Sequence, residues 1–399
     1  MNRFCFVIHP LSFEDIARYE PGAKGKGEPI LRKIMEWMPS YAAVHVTGVR
    51  APDGRETEGW FVAAPLLPQQ LMDFPREEVY RRVLRAIEIG VELGAQVAGL
   101  GAFTGVVGDA GVTINARSPI PVTTGNSLTI ASGVESLFRG AAEMSVDPAR
   151  STATVIGATG SIGAACVALI APKVRELILV ARNETRLRKF HERIAHRLPC
   201  PSEYTTDLDS AVRRSQLILT ATSSTSDVIE PEHLQTGAVV CELSLPHDVS
   251  RRVAQHRPDV LVVEGGNMRV PGTPRFERVR EPGAEFDLNL PPGTALACMS
   301  ETMVLALEGR LEPYTLGRGI ALEKVVEISE MAARCGFELA DMRAFDAAIT
   351  PEKLASTRSA AAARRGDSEH AAVAPGYGTL ANSQVNRSGA IPARQPRQP

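Results

Sequence analysis

The chain has 399 residues, of which 44% are hydrophobic and 23% charged, and its formal net charge is −2. That length suits roughly two or three domains with sizeable cores, and the composition is that of a soluble globular protein. The near-neutral balance offers no global field for nucleic acid or an anionic membrane, and no apolar run is long enough to make a transmembrane segment. The first residues lack the basic-then-apolar build of a signal peptide, and the six cysteines are scattered without a CxxC pair. A cytoplasmic protein with reduced thiols, no disulfide framework and no zinc site is the expectation.

In chain order, residues 4–8 read as a first strand, and 43–49 and 60–64 as two more around the turn Pro52-Asp53-Gly54. Val79, Val83, Ile87 and Val91 recur with helical spacing over residues 77–93. Residues 96–100 look like another strand, and 127–144 like a helix capped by Ser127 or Asn126. Pro148 and Ser151 then mark a boundary, so residues 1–146 are predicted to form an N-terminal α/β domain. Within residues 147–276, strand candidates at 152–156, 176–181, 216–221, 238–243 and 260–264 alternate with helices, the pattern of a doubly wound parallel sheet. Residues 271–292 are rich in glycine, proline and charge and read as a loop. Helices are predicted at 294–307 and 322–335, giving a small C-terminal helical part over 277–354. Residues 355–399 are rich in Ala, Ser, Arg, Pro and Gln, and a disordered tail is predicted there.

The most telling segment is Gly157-Ala158-Thr159-Gly160-Ser161-Ile162-Gly163, between a β-branched run and a small, apolar helical run. Glycines at these spacings give a tight turn, a close backbone approach and close helix-on-strand packing. The free N–H groups at the helix start suit a pyrophosphate, so a Rossmann dinucleotide site is expected. A plain tight turn is the competing reading. The second strand of that unit ends without an acid. Arg182 and Arg186 lie four apart around Asn183, which can cap the next helix. Two guanidiniums reaching one 2′-phosphate would select NADPH, although Glu184 partly neutralises them and a solvated basic helix face is the alternative. Thr222 and Ser223 follow the strand candidate at 216–221 and leave room for the nicotinamide end. His247, in Leu245-Pro246-His247-Asp248, should sit near the same rim, as a proton donor or simply as a solvated histidine.

Cys298 follows Pro291-Pro292-Gly293-Thr294, and Thr294 can cap a helix that puts the thiol in or near its first turn. There the helix dipole would lower the thiol pKa; the alternative is a buried structural cysteine. Several segments resemble the cyanobacterial-type, aldehyde-forming long-chain fatty acyl-[acyl-carrier-protein] reductases. These are Ile8-His9-Pro10-Leu11-Ser12, Gly101-Ala102-Phe103-Thr104, Thr123-Thr124-Gly125-Asn126, the glycine loop, Ala181-Arg182-Asn183 with Arg186, and Ala297-Cys298 with Glu301 and Met303. The similarity runs over residues 4–337. It implies that Cys298 is the nucleophile and that NADPH reduces an acyl thioester, on acyl carrier protein or CoA, to a fatty aldehyde. It also implies an N-terminal substrate domain with Thr124, Gly125, Asn126 and Ser127 near the acyl group, assistance by Mg2+, and an aldehyde-consuming enzyme as a partner. No acidic cluster marks a metal site. Where that family would have Tyr-Pro-Lys, this chain has Leu245-Pro246-His247. Three other readings stand beside it: a shikimate-dehydrogenase-like NADP(H) oxidoreductase acting on a small carbonyl, a thioester reductase resembling glutamyl-tRNA reductase, and a non-enzymatic NADP(H)-binding protein.

Overall fold

The computed structural model describes residues 1–224 and 226–372. It is α/β throughout, built on two six-stranded sheets. The first sheet is mixed. Arg3–Ile8 runs parallel to Glu56–Ala63 on one side and to Val97–Leu100 on the other, and Tyr41–Arg50 pairs antiparallel with Glu56–Ala63. Phe4, Phe6, Val44, Val46 and Phe61 face one side of it and are fully buried. The other face, with Cys5, Val7 and Val62, is covered by Arg76–Glu92, whose buried stripe is Val79, Val83 and Ile87.

The second sheet is the expected doubly wound parallel sheet. Its spatial order is Leu261–Glu264, Val239–Glu242, Leu217–Thr220, Thr152–Ile156, Glu176–Val180 and Ser202–Thr205. All five predicted strands are present. The sixth, Ser202–Thr205, went unpredicted because it is a half-buried edge strand without an apolar run. The order reverses between Thr152–Ile156 and Leu217–Thr220, so the glycine turn after Ile156 lies at the switch point where such sheets bind ligands.

Three expectations are corrected. Residues 271–292 are not all loop, because Gly272–Arg278 is a strand that pairs antiparallel with Tyr41–Arg50 and so completes the first sheet. Phe276, buried against Phe61, anchors it. Thr294 is not a helix cap. It begins the short strand Thr294–Leu296, and the helix is Ala297–Glu308. Residues 355–372, predicted as tail, belong to the helix Pro351–Ala372. Its alanines have high helix propensity, and Leu354 and Ala361 bury against the second sheet's core. Residues 373–399 lie outside the described residues.

Asn126–Glu143 ties the two sheets together. Gly140, toward its C-terminal end, packs on Val239 and Val263 of the second sheet, while its N-terminal end meets Ala297–Glu308 beneath the first.

Candidate active site

The glycine turn has the geometry that its sequence implied. Gly157 sits at φ +81, and a Cβ there would lie 2.2 Å from the carbonyl oxygen of Ala221. A Cβ at Gly163 would lie 2.3 Å from the carbonyl oxygen of Gly157, so the Ser161–Ile170 helix can seat this close to the strand only through glycine. Gly160 is the N-cap of that helix and has no side-chain cap, which leaves the backbone N–H groups of Ser161 and Ile162 for an anion. This arrangement of turn, packing and open helix end fits a dinucleotide pyrophosphate.

Beside the turn lies a cavity of about 590 Å³, lined by Thr159, Asn183, Arg186, Lys189, Arg193 and Arg318 among others. Asn183 caps Glu184–Ile194 as expected, its Oδ1 accepting from Arg186 N at 2.9 Å. The Arg186 guanidinium donates to the carbonyl oxygen of Thr159 at 2.7 Å. Arg182 is exposed and outside this lining, so it and Arg186 do not converge there. The sequence reading missed Lys189, Arg193 and Arg318. The first two follow Arg186 on one helical face; Arg318 carries no local signal.

Thr222 is committed to a network at the strand ends. Its Oγ1 donates to Asp248 Oδ1 at 2.6 Å and its backbone N–H to Ser244 Oγ at 2.8 Å. Thr220 and Ser244 donate to the other oxygen of the fully buried Asp248. Ser223 is exposed at the rim. His247 points its Nδ1 to Glu242 Oε2 at 2.9 Å. Burial alone would depress its pKa, but Glu242, Glu264 and Asp346 outweigh that and raise it. His247, Glu264 and Asp346 lie close enough to share a cation. However, Arg343 already pairs with Glu264 at 2.8 Å and Arg251 with Asp346, so these residues do not fit Mg2+.

The thiol lies where the two sheets meet. Cys298 is the second residue of its helix, and the N–H of Ala297 donates to the carbonyl oxygen of Gly266, just beyond the second sheet's last strand, at 2.7 Å. Gly125, at φ +73, lies flat against Cys298: a Cβ there would be 2.4 Å from both its Cα and its Cβ. Thr124-Gly125-Asn126-Ser127 and Cys298 are therefore brought together. Neither Ser127 nor Asn126 caps the Asn126 helix; the N-cap is Gly125, without a side-chain bond. The carboxylate of Glu301, one turn after the thiol, does that work from the facing helix. Its Oε2 accepts from Leu128 N at 2.8 Å, and its Oε1 from Thr315 Oγ1 at 2.9 Å and from Thr123 Oγ1. Burial raises the Glu301 pKa against these hydrogen bonds.

The predicted lowering of the Cys298 pKa is overturned. Burial pushes the thiol up to about 12, and Glu301 adds to the rise. The N–H of Met299 opposes it without prevailing. The position in the first turn is as expected, but desolvation beats the helix dipole. Cys298 rests as a thiol.

His9 and Gly101-Ala102-Phe103-Thr104 also meet. The N–H of Phe103 donates to His9 Nε2 at 3.1 Å, so Nδ1 carries the proton and donates to the carbonyl oxygen of Pro10 at 3.0 Å. Burial lowers the His9 pKa from 6.5 to about 4. A depressed folded pKa means that stability is complete above 6.5 and lost as pH falls toward 4. Urea midpoints are expected to decline across that window by the equivalent of about 3 kcal/mol, and His9→Gln should flatten the decline. An equally steep decline in His9→Gln would dismiss this role.

Residues 141–263 match the family model of shikimate / quinate 5-dehydrogenases. The chain is 31% identical over 312 residues to aminotransferase PigE of Serratia sp., an alignment covering 77% of this chain and 35% of that protein. It is 25% identical over 301 residues to the long-chain acyl-[acyl-carrier-protein] reductase of Synechococcus elongatus, covering 73% of this chain and 85% of that one. Among solved structures, quinate dehydrogenase from Corynebacterium glutamicum, in complex with NAD, is similar at a TM-score of 0.30 and 11% identity, over 60% of this chain and 79% of that one. This chain thus spans only 35% of the length of the Serratia protein. Residues 141–263 are thus a nucleotide domain similar to that of the shikimate / quinate 5-dehydrogenases, a doubly wound sheet with a glycine turn at its switch point.

Proposed function

We propose that the protein reduces a long-chain acyl thioester, on acyl carrier protein or CoA, to a fatty aldehyde with NADPH, through an acyl-enzyme on Cys298. The observation that carries this reading is the packing of Gly125 on Cys298 beside the C-terminal rim of the nucleotide-domain sheet. The similarity to the Synechococcus reductase supports it.

In the first step, Cys298 Sγ attacks the thioester carbonyl carbon and the carrier sulfur leaves. The Cys298 proton is given up as Sγ attacks and passes to the departing sulfur, so the carrier leaves as a thiol. The glycine turn and the Ser161 helix would hold NADPH, which would supply the hydride that reduces the acyl carbon. Sγ then leaves, takes up a proton and regenerates the thiol. Thr124 to Ser127, held by Glu301 and Thr315, orient the acyl carbonyl against the thiol. The turn and the Ser161 helix would hold the pyrophosphate, and Arg186, assisted by Arg182 from outside the cavity, the 2′-phosphate. Thr222 fixes the rim that faces the nicotinamide, with the exposed Ser223 beside it.

Purified protein given palmitoyl-CoA or palmitoyl carrier protein with NADPH should yield hexadecanal with one NADPH consumed per aldehyde. Failure to reduce either thioester, with reduction of a small keto acid, would support the shikimate-dehydrogenase-like alternative, which the match over 141–263 favours. A further expected result concerns the cofactor. Arg186→Ala should raise the Michaelis constant for NADPH about tenfold or more while barely changing that for NADH. Equal changes would remove Arg186 from 2′-phosphate recognition. An aldehyde product also calls for an aldehyde-consuming enzyme. An amino-transferring one is consistent with a relative named an aminotransferase that is much longer than this chain.

A further inference from the structure

We propose that Arg318 binds the adenosine 2′-phosphate and is carried on a strap that also holds the seat of Cys298, so that filling the basic cavity restrains the thiol. The inference rests on the dinucleotide reading for the identity of the ligand.

The strap is residues 314–319. At one end, the carbonyl oxygen of Thr315 accepts from Thr124 N at 2.9 Å and from Thr124 Oγ1 at 3.1 Å. The Thr315 hydroxyl lies 2.8 Å from Ser127 Oγ and 2.9 Å from Glu301 Oε1, and its N–H donates to Thr123 Oγ1 at 3.1 Å. These groups flank Gly125, which packs on Cys298. Gly317 N then donates to the carbonyl oxygen of Ala110 at 2.8 Å. At the other end, Arg318 donates to the carbonyl oxygen of Gly108 at 3.2 Å and lines the nucleotide cavity. Arg318 and Thr315 are therefore three residues apart on one segment, with one facing the nucleotide and the other the thiol's seat.

The cavity is built for an anion. Arg186, Lys189, Arg193 and Arg318 line it, and no carboxylate among the described residues does. Four like charges around one cavity repel each other, and a doubly charged phosphate relieves that repulsion. Its place beside Asn183 and Arg186, at the end of the second strand of the sheet, is where a 2′-phosphate rather than the pyrophosphate falls. The bond to Gly108 uses one of the five guanidinium N–H groups of Arg318, so others are left for the ligand. A phosphate on Arg318 anchors the strap at its distal end and restrains the packing around the half-buried thiol, which slows its reaction.

The test uses the full-length protein and two probes, 2′,5′-ADP and 5′-AMP. Binding is followed by calorimetry, and iodoacetamide alkylation of Cys298 by peptide mass spectrometry. Wild-type protein should bind 2′,5′-ADP about tenfold or more tighter than 5′-AMP. 2′,5′-ADP should slow Cys298 alkylation about threefold or more, and 5′-AMP should not. Arg318→Ala should lose about tenfold in 2′,5′-ADP affinity, leave 5′-AMP affinity unchanged and abolish the slowing. Arg318→Lys should recover part of each. If 2′,5′-ADP binds Arg318→Ala as tightly as wild type, Arg318 is not a ligand, although the NADPH reading survives. If affinity drops but alkylation never responds, the strap does not couple the sites. If 2′,5′-ADP does not bind wild type at all, the dinucleotide reading falls and takes this inference with it.

Discussion

Cys298→Ala is expected to abolish aldehyde formation from palmitoyl thioesters, by on the order of 10⁴-fold or more, with NADPH affinity unchanged. The separation follows from geometry. The thiol lies on Ala297–Glu308, whereas the glycine turn and all of the basic cavity's lining except Arg318 and Gly319 lie on the second sheet and its helices. Removing one sulfur atom leaves the Gly125 contact intact, because that contact is with Cα and Cβ of Cys298. Cys298→Ser should keep the fold yet stay inactive, since a hydroxyl is a poorer nucleophile and alkoxide a poorer leaving group. The measurement is hexadecanal by mass spectrometry beside calorimetric NADPH binding. A Cys298→Ala variant that still makes aldehyde would eliminate the covalent route.

The second large effect is on stability. Glu301→Ala should cost about 3–5 kcal/mol, read from the urea midpoint at constant slope. The carboxylate is fully buried and serves donors from three places: Leu128 N at the start of the Asn126 helix, Thr123 and Thr315. Alanine would leave all of them without an acceptor and open a void between the two helices. Glu301→Gln keeps one carbonyl oxygen and should cost less, though its amide nitrogen must face a donor. Activity should fall in both variants even where they remain folded, because the same carboxylate sets Gly125 against the thiol. A loss below about 1 kcal/mol for Glu301→Ala would show that the staple is unimportant.

Local order in the second sheet could be read directly from the chain. Its central strands are continuous apolar runs buried on both faces, and the turn of Gly157 and Gly163 is dictated by contacts within a few residues. The meeting of Thr124-Gly125-Asn126-Ser127 with Cys298 was legible only through resemblance, since 173 residues separate Leu128 from Glu301, its capping partner. Ser127 and Asn126 looked like caps by residue type, yet a carboxylate from another helix took the position. The thiol's acidity was misjudged for a related reason. A first-turn position can be read from the prolines and glycine before it, but desolvation depends on Gly125 and the first sheet packing over it. Arg318 is beyond local reading, because a lone arginine in a glycine-containing loop looks like any solvated residue until the fold brings it to Arg186.

The strand Gly272–Arg278 gives the chain an order of assembly. The first sheet lacks its edge partner for Tyr41–Arg50 until the nucleotide domain has been synthesised, and its inner face lacks Ala297–Glu308 for longer still. On the ribosome, the lobe begun first is therefore completed only after residue 308 has emerged. Until then Phe4, Phe6 and Phe61 have no lid, and an unpaired strand is open to other nascent chains. A gene fragment ending near residue 146 would encode that intermediate permanently. Recombination that exchanges this lobe between relatives has to carry two separated stretches of sequence together.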